Sequence, residues 1–93
     1  MKIFVTEQAR RSLLGARDFY NNELDGLGYE LVHEFLAALS RIQAYPEAWT
    51  PLSKRTRRCL MHRFPYSVIF RIVKSKSELQ IIDLMHQKQK PRF

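Results

Sequence analysis

From Lys54 to His86 the chain reads as three strands in succession, and this run limits what the remainder can form. Val68, Phe70 and Ile72 alternate with Ile69, Arg71 and Val73 across Ser67–Val73. That is the two-residue period of a strand whose side chains point to opposite faces. Glu78–His86 sets Leu79, Ile81, Asp83 and Met85 against Gln80, Ile82, Leu84 and His86. Thr56–Arg63 alternates imperfectly. Lys74–Ser77 is a polar hairpin turn, and Phe64-Pro65-Tyr66 is the other link. Pro65 has no N–H for a ladder, and it biases Phe64 toward extended geometry. Strands joined this closely form an antiparallel meander.

The residues before the meander supply helical cover. Lys2–Thr6, reading KIFVT, is a short β-branched and aromatic strand. Thr6 then caps a helix, and Glu7 suits the positive end of its dipole. Ala9, Leu13, Ala16, Phe19, Tyr20 and Leu24 fall on one helical face. Gly15 costs about 1 kcal/mol relative to alanine and permits close helix packing. Asp25-Gly26 and Gly28 break the helix. A second helix runs from about Gly28 to Tyr45, with Leu31, Phe35, Leu39 and Ile42 on one face and Val32, Leu36 and Ala38 widening it. Pro46 stops it, and the loop PEAWTPLSK places Trp49 as a plug at the edge of the core.

The fold class is therefore α+β. An N-terminal strand and an α-helical hairpin pack on one face of a small, mainly antiparallel C-terminal sheet, in a single domain over residues 1–93. The opposite face is left open, and His86 and some of the arginines are expected to point there.

Charge and cysteine usage narrow the function. Residues 1–40 carry four Lys/Arg against six Asp/Glu, whereas residues 41–93 carry twelve against three. The net +7 is thus gathered on the C-terminal part. A basic face of this kind suits an acidic partner, whether nucleic acid, protein or anionic membrane, or else it is simply solvated. No apolar run is long enough to span a bilayer, and the N-terminus lacks the apolar core of a signal peptide. Cys59 is the single cysteine, which leaves no internal disulfide and no four-cysteine zinc site. A cytoplasmic protein without a membrane partner is the expectation.

The candidate site residues follow from chemistry. Lys54, Arg55, Arg57, Arg58 and Arg63 crowd five cations into ten residues, and Arg71, Lys88, Lys90 and Arg92 lie within reach. Such groups grip phosphates or carboxylates. Alternation turns Arg58 and Arg63 opposite ways, so the cluster is not one site. His86, at the end of the last strand, is the candidate general acid or base for phosphodiester cleavage. Its catalytic companions would come from Arg57, Arg58, Arg63, Arg71 and Lys88. Its alternative role is to hydrogen-bond backbone where the sheet ends. Asp83 reads as structural and Cys59 as core. His33, His62 and His86 are far apart, with no metal-binding motif, and three glycines leave no phosphate loop. No metal and no cofactor are expected.

Taken in order, these pieces resemble a known family. They are Ala9 and Leu13, Phe19-Tyr20, Gly26-Leu27-Gly28, Phe35, Leu39 and Ile42, then Tyr45-Pro46-Glu47-Ala48-Trp49, Arg57-Arg58, Phe64-Pro65-Tyr66, and His86 with Pro91. Their order and spacing over nearly the whole chain are similar to the RelE/ParE toxin superfamily of type II toxin–antitoxin systems. The helical hairpin and the loop with Trp49 look more like the ParE, plasmid-stabilising branch. The resemblance implies a toxin neutralised by a cognate antitoxin in a hetero-oligomer. It leaves two targets open. ParE-like members inhibit DNA gyrase by binding, through a surface to which Arg57, Arg58, Arg63, Arg71, Trp49, Lys88, Lys90 and Arg92 would contribute. RelE-like members cleave mRNA on the ribosome, for which His86, Arg57, Arg58, Arg63 and Lys88 would be the catalytic set. Gln89 stands where a second basic residue is usual in ParE-like tails.

Overall fold

A computed structural model describes residues 1–89 of the chain. Strand β1 (Lys2–Val5) leads into helices α1 (Glu7–Glu23) and α2 (Leu27–Ala44), followed by strands β2 (Thr50–Pro51), β3 (Arg57–Leu60), β4 (Tyr66–Val73) and β5 (Glu78–His86). The sheet order is β1-β5-β4-β3-β2. The meander is antiparallel, as its short links require, and β1 joins β5 in parallel to make the sheet mixed. The α+β architecture is the expected one.

Thr6 ties three elements together. Its side-chain oxygen accepts the Ala9 N–H at 3.2 Å, which caps α1. Its hydroxyl points at the Ile81 and Ile82 carbonyls, 2.9 and 3.0 Å away. Its backbone N–H continues the β1 ladder to Ile81 O at 3.0 Å. The start of α1 is thereby pinned to the middle of β5. The turn to α2 uses Gly26 at φ +86, a left-handed conformation that glycine adopts at little cost. The close helix contact lies at Gly28 rather than at Gly15. A Cβ at Gly28 would overlap the Arg17 carbonyl, whereas Gly15 faces open space.

The core lies between the hairpin and one sheet face. Leu31, Phe35 and Ile42 of α2 meet Val68, Phe70, Leu79 and Ile81. Trp49 packs half-buried against this cluster, the edge plug that was expected. Three apolar residues leave the predicted faces: Phe19, Leu24 and Leu36 are all more than half exposed. The buried face of α1 narrows to Ala9, Leu13, Ala16 and Tyr20.

Strict alternation also fails in β5. Ile69 pairs with Asp83 but Phe70 pairs with Ile81, so Ile82 has no partner and forms a bulge. Before the bulge Leu79 and Ile81 enter the core, and after it Leu84 does. Asp83 and Met85 consequently leave the core side. Asp83, 1% exposed, accepts the Ser12 hydroxyl at 2.6 Å and the Leu84 N–H at 2.8 Å. Its structural role is the expected one. The far face is not open as predicted, because Ser67, Ile69 and Met85 are all buried there. Leu52, Arg58 and the turn at Gln87 and Gln89 border them.

Candidate functional site

His86 closes one end of the sheet. It pairs with Tyr66, and the two rings meet edge-on at 5.3 Å. Tyr66 leans in turn on Tyr20 of α1 at 6.3 Å, and Tyr20 on Phe64 at 5.1 Å. The imidazole therefore sits on the helix-covered side, not on the far face where it was expected. The bulge at Ile82 is the reason, since it exchanges the faces of every later residue in β5.

The polar atoms of His86 serve the turn that follows. Nδ1 accepts the Lys88 N–H at 3.1 Å, and the His86 N–H donates to Gln89 Oε1 at 2.8 Å. Gln89 N–H returns to the His86 carbonyl at 2.9 Å, and Gln87 N–H reaches Pro65 O at 2.8 Å. The histidine thus organises backbone where the sheet ends. The neighbouring Tyr66 phenol is held above the usual tyrosine range, first by burial and then by the adjacent Tyr20 hydroxyl. It keeps its proton at neutral pH and offers no base.

Of the predicted arginines, Arg57, Arg63 and Arg71 are held away from His86. Arg57 donates Nη1–H to the Glu47 and Trp49 carbonyls at 3.1 and 2.8 Å, so it fastens the loop to the sheet edge. Arg63 turns to α2, pairing with Glu30 at 2.8 Å and lying 5.4 Å above the Phe64 ring. The Glu34 carboxylate accepts the His62 and Arg63 backbone N–H groups beside it. Arg71 donates to Gln80 Oε1 at 2.6 Å. It stands roughly 17 Å along β4 from the Tyr66–His86 pair, at about 3.3 Å per residue. Arg58 pairs with Ile69 on the far face and lines the small hollow together with His86, Leu52 and Gln89. Arg58 and Arg63 do point apart, but Arg63 lies in the loop beyond β3, so its pairing with Glu30 and not strand alternation sets its direction. Lys88 is an exposed residue of the terminal turn. Lys90 and Arg92 lie outside the described residues.

Cys59 is buried core, as expected. Burial pushes its thiol up, and the Arg41 guanidinium, 3.8 Å from Sγ, counters only part of that effect. Among the described residues no three His, Cys, Asp or Glu side chains gather where a metal ion could sit.

A different site lies at the other end of the sheet. Two depressions adjoin there and share Glu47, Ile72 and Lys74. One, of about 500 Å³, is lined by Met1, Tyr45, Pro46 and Ala48 besides the shared residues. The other, of about 690 Å³, is lined by Lys54, Arg55, Arg57 and Arg71 with Pro51 and Ser53. Lys74 and Glu47 form an exposed ion pair at 3.4 Å on the seam. The sequence offered the cations but not this grouping. Its walls come from the N-terminus, the end of α2, the loop after it and the end of β4, which no local pattern joins.

A family model described as the ParE toxin of the type II toxin–antitoxin system, parDE, matches residues 3–91. The chain belongs to the ParE toxin family. The solved chromosomal ParDE toxin–antitoxin system from P. aeruginosa contains a chain of similar fold, with a TM-score of 0.80. The match covers 92% of this chain and 95% of that one at 19% sequence identity. No curated protein sequence matches the chain. As a ParE-family toxin the chain has the helical hairpin and sheet that its resemblance implied, with the arginines distributed over several faces.

Proposed function

We propose that this ParE-family chain acts by binding DNA gyrase and blocking it, and that a cognate antitoxin neutralises it within a hetero-oligomer. The observation that carries this reading over ribosome-dependent RNA cleavage is the separation of His86 from Arg57, Arg63 and Arg71, which leaves Arg58 as the one candidate arginine lining a hollow with it. Cleavage of a phosphodiester needs an acid or base within about 3 Å of the proton it moves, with cations converging on the same phosphate. His86 instead directs Nδ1 to backbone and its ring to Tyr66, while Arg57, Arg63 and Arg71 are held by partners elsewhere. An inhibitor that works by binding needs an accessible surface and no such convergence. No helix among the described residues is long and apolar enough to cross a membrane. We place the protein in the cytoplasm, where gyrase works.

The test pairs two assays on the purified chain and its His86→Ala variant. Gyrase supercoiling should be inhibited by both, and messenger RNA on translating ribosomes should remain uncut. Intact supercoiling together with cut transcripts, abolished by His86→Ala, would replace this reading by the nuclease one.

A further inference from the structure

The turn after β5 is organised by one side chain. His86 Nδ1 accepts the Lys88 N–H at 3.1 Å, while the His86 backbone exchanges bonds with Gln89 at 2.8 and 2.9 Å. A ring nitrogen that accepts carries no hydrogen, so this ring is neutral with its proton on Nε2. Its edge-on contact with Tyr66 fixes its direction. Gln87 anchors the start of the turn separately, through Pro65 O at 2.8 Å and Tyr66 O at 3.4 Å. The turn also covers something. Gln87 and Gln89 close one side of the hollow lined by Arg58, Ile69 and Met85. Ile69 and Met85 are only 2% and 4% exposed, on the sheet face turned away from the helices.

We propose that His86 is a protonation-operated latch: the neutral ring holds Lys88 and Gln89 against the end of the sheet, and the imidazolium releases them and opens the hollow at Ile69 and Met85. Protonation turns Nδ1 from acceptor into donor, so it faces the Lys88 N–H with a second N–H. Nothing nearby compensates. The groups facing the ring are Tyr66 on β4, Tyr20 of α1 behind it, Lys88 on the turn and Arg58 across the hollow. Two of these are cations, and among the described residues no Asp or Glu lines the hollow. Asp83, on the same strand, directs its carboxylate to Ser12 and Leu84. The Gln89 bonds are solvent-exposed and exchange for water at small net cost once Lys88 has moved. The Gln87 bond to Pro65 does not involve the ring, so opening stops there and the sheet persists. The sign follows directly: the turn is closed while the ring is neutral and opens as pH falls through the protonation of His86. Histidine is the side chain suited to such a change near physiological pH.

Nuclear magnetic resonance on the isotope-labelled full chain, titrated from pH 8 to pH 5, tests this. At pH 8 the long-range ring nitrogen spectrum should show the Nε2–H tautomer of His86. As the ring protonates, protection of the Lys88 amide, corrected for intrinsic exchange, should fall about fivefold with the same midpoint, and that of Gln87 should not change. The Met85 methyl should become accessible to a soluble paramagnetic chelate over the same range, while the core Met61 methyl stays shielded. His86→Asn, whose Oδ1 accepts at any pH, should hold the turn closed throughout. His86→Phe, which keeps a ring against Tyr66 without an acceptor, should leave it open throughout. An Nδ1–H tautomer at pH 8 overturns the latch. So does a Lys88 amide that ignores the ring or follows His33 or His62 instead, or a pH response that survives in His86→Asn. A Met85 methyl that stays shielded removes the opening of the hollow, and simultaneous exposure of Met61 shows acid unfolding in place of a local release.

Discussion

The two ends of the sheet treat their polar groups in opposite ways. Around His86 the backbone groups and the imidazole Nδ1 are satisfied from within: Nδ1 by Lys88, His86 by Gln89, Gln87 by Pro65. The aromatic rings there form a row from Phe64 through Tyr20 and Tyr66 to the histidine. At the Lys74 end, Tyr45, Lys54 and Arg55 are left to solvent, and the ion pair that crosses the seam is exposed on both sides. A histidine at a strand end beside arginines in sequence suggested chemistry at the first place. Its hydrogen bonds make that end a fastening, while the less conspicuous end has the unused binding capacity.

That contrast can be broken by stability measurements. Tyr66→Ala should have the largest effect, about 3 kcal/mol in urea unfolding, because it removes the ring between Tyr20 and His86. Asp83→Ala should follow at about 2 kcal/mol, by orphaning the Ser12 hydroxyl and the Leu84 N–H next to the bulge. His86→Ala should cost about 1 kcal/mol through the lost acceptor for Lys88 N–H, with growth arrest on expression retained. Tyr45→Ala at the other end should stay within about 0.5 kcal/mol. If Tyr45→Ala destabilised the chain more than His86→Ala, the division between fastening and binding ends would be wrong.

The alkaline limb sharpens the same comparison. Cys59 and Tyr66 both have their proton affinity raised in the fold, chiefly by burial. Below the values of the unfolded chain, 9.0 for the cysteine and 10.0 for the tyrosine, their contribution is fully present. As pH rises further, the unfolded chain loses these protons first and stability falls until the folded groups also ionise. Equilibrium unfolding followed from pH 8 upward should therefore decline, and Cys59→Ser with Tyr66→Phe should flatten the decline.

Much of this was legible in the residues. Thr6 announced the α1 cap, Pro46 the end of α2, and the alternation of β4 its buried face. The Ile82 bulge was not, because Ile81-Ile82-Asp83 contains no glycine and fits a regular strand equally well. That one extra residue moved His86 to the helix side and buried Asp83 off the core. Strand β2 was read as loop because Thr50-Pro51 is too short to alternate. Helical periodicity gives apolar faces but not their extent, so Phe19, Leu24 and Leu36 were assigned to contacts that the sheet is too narrow to make. The adjoining depressions escaped for a different reason, since Met1, Tyr45, Lys54 and Lys74 become neighbours only through the tertiary fold.

The placement of β5 has a consequence for how the chain reaches this form. The last strand is an interior one, with β1 on one side and β4 on the other. The Thr6 contacts that seat α1 span 75 and 76 residues. Loop closure over such separations is entropically costly and slows folding relative to local pairing. Neither β1 nor the start of α1 has its partner until Ile81 and Ile82 have been synthesised. A nascent chain stalled before that point holds a helical hairpin whose sheet still lacks an interior strand, and the full sheet surface arises only once β5 has been made.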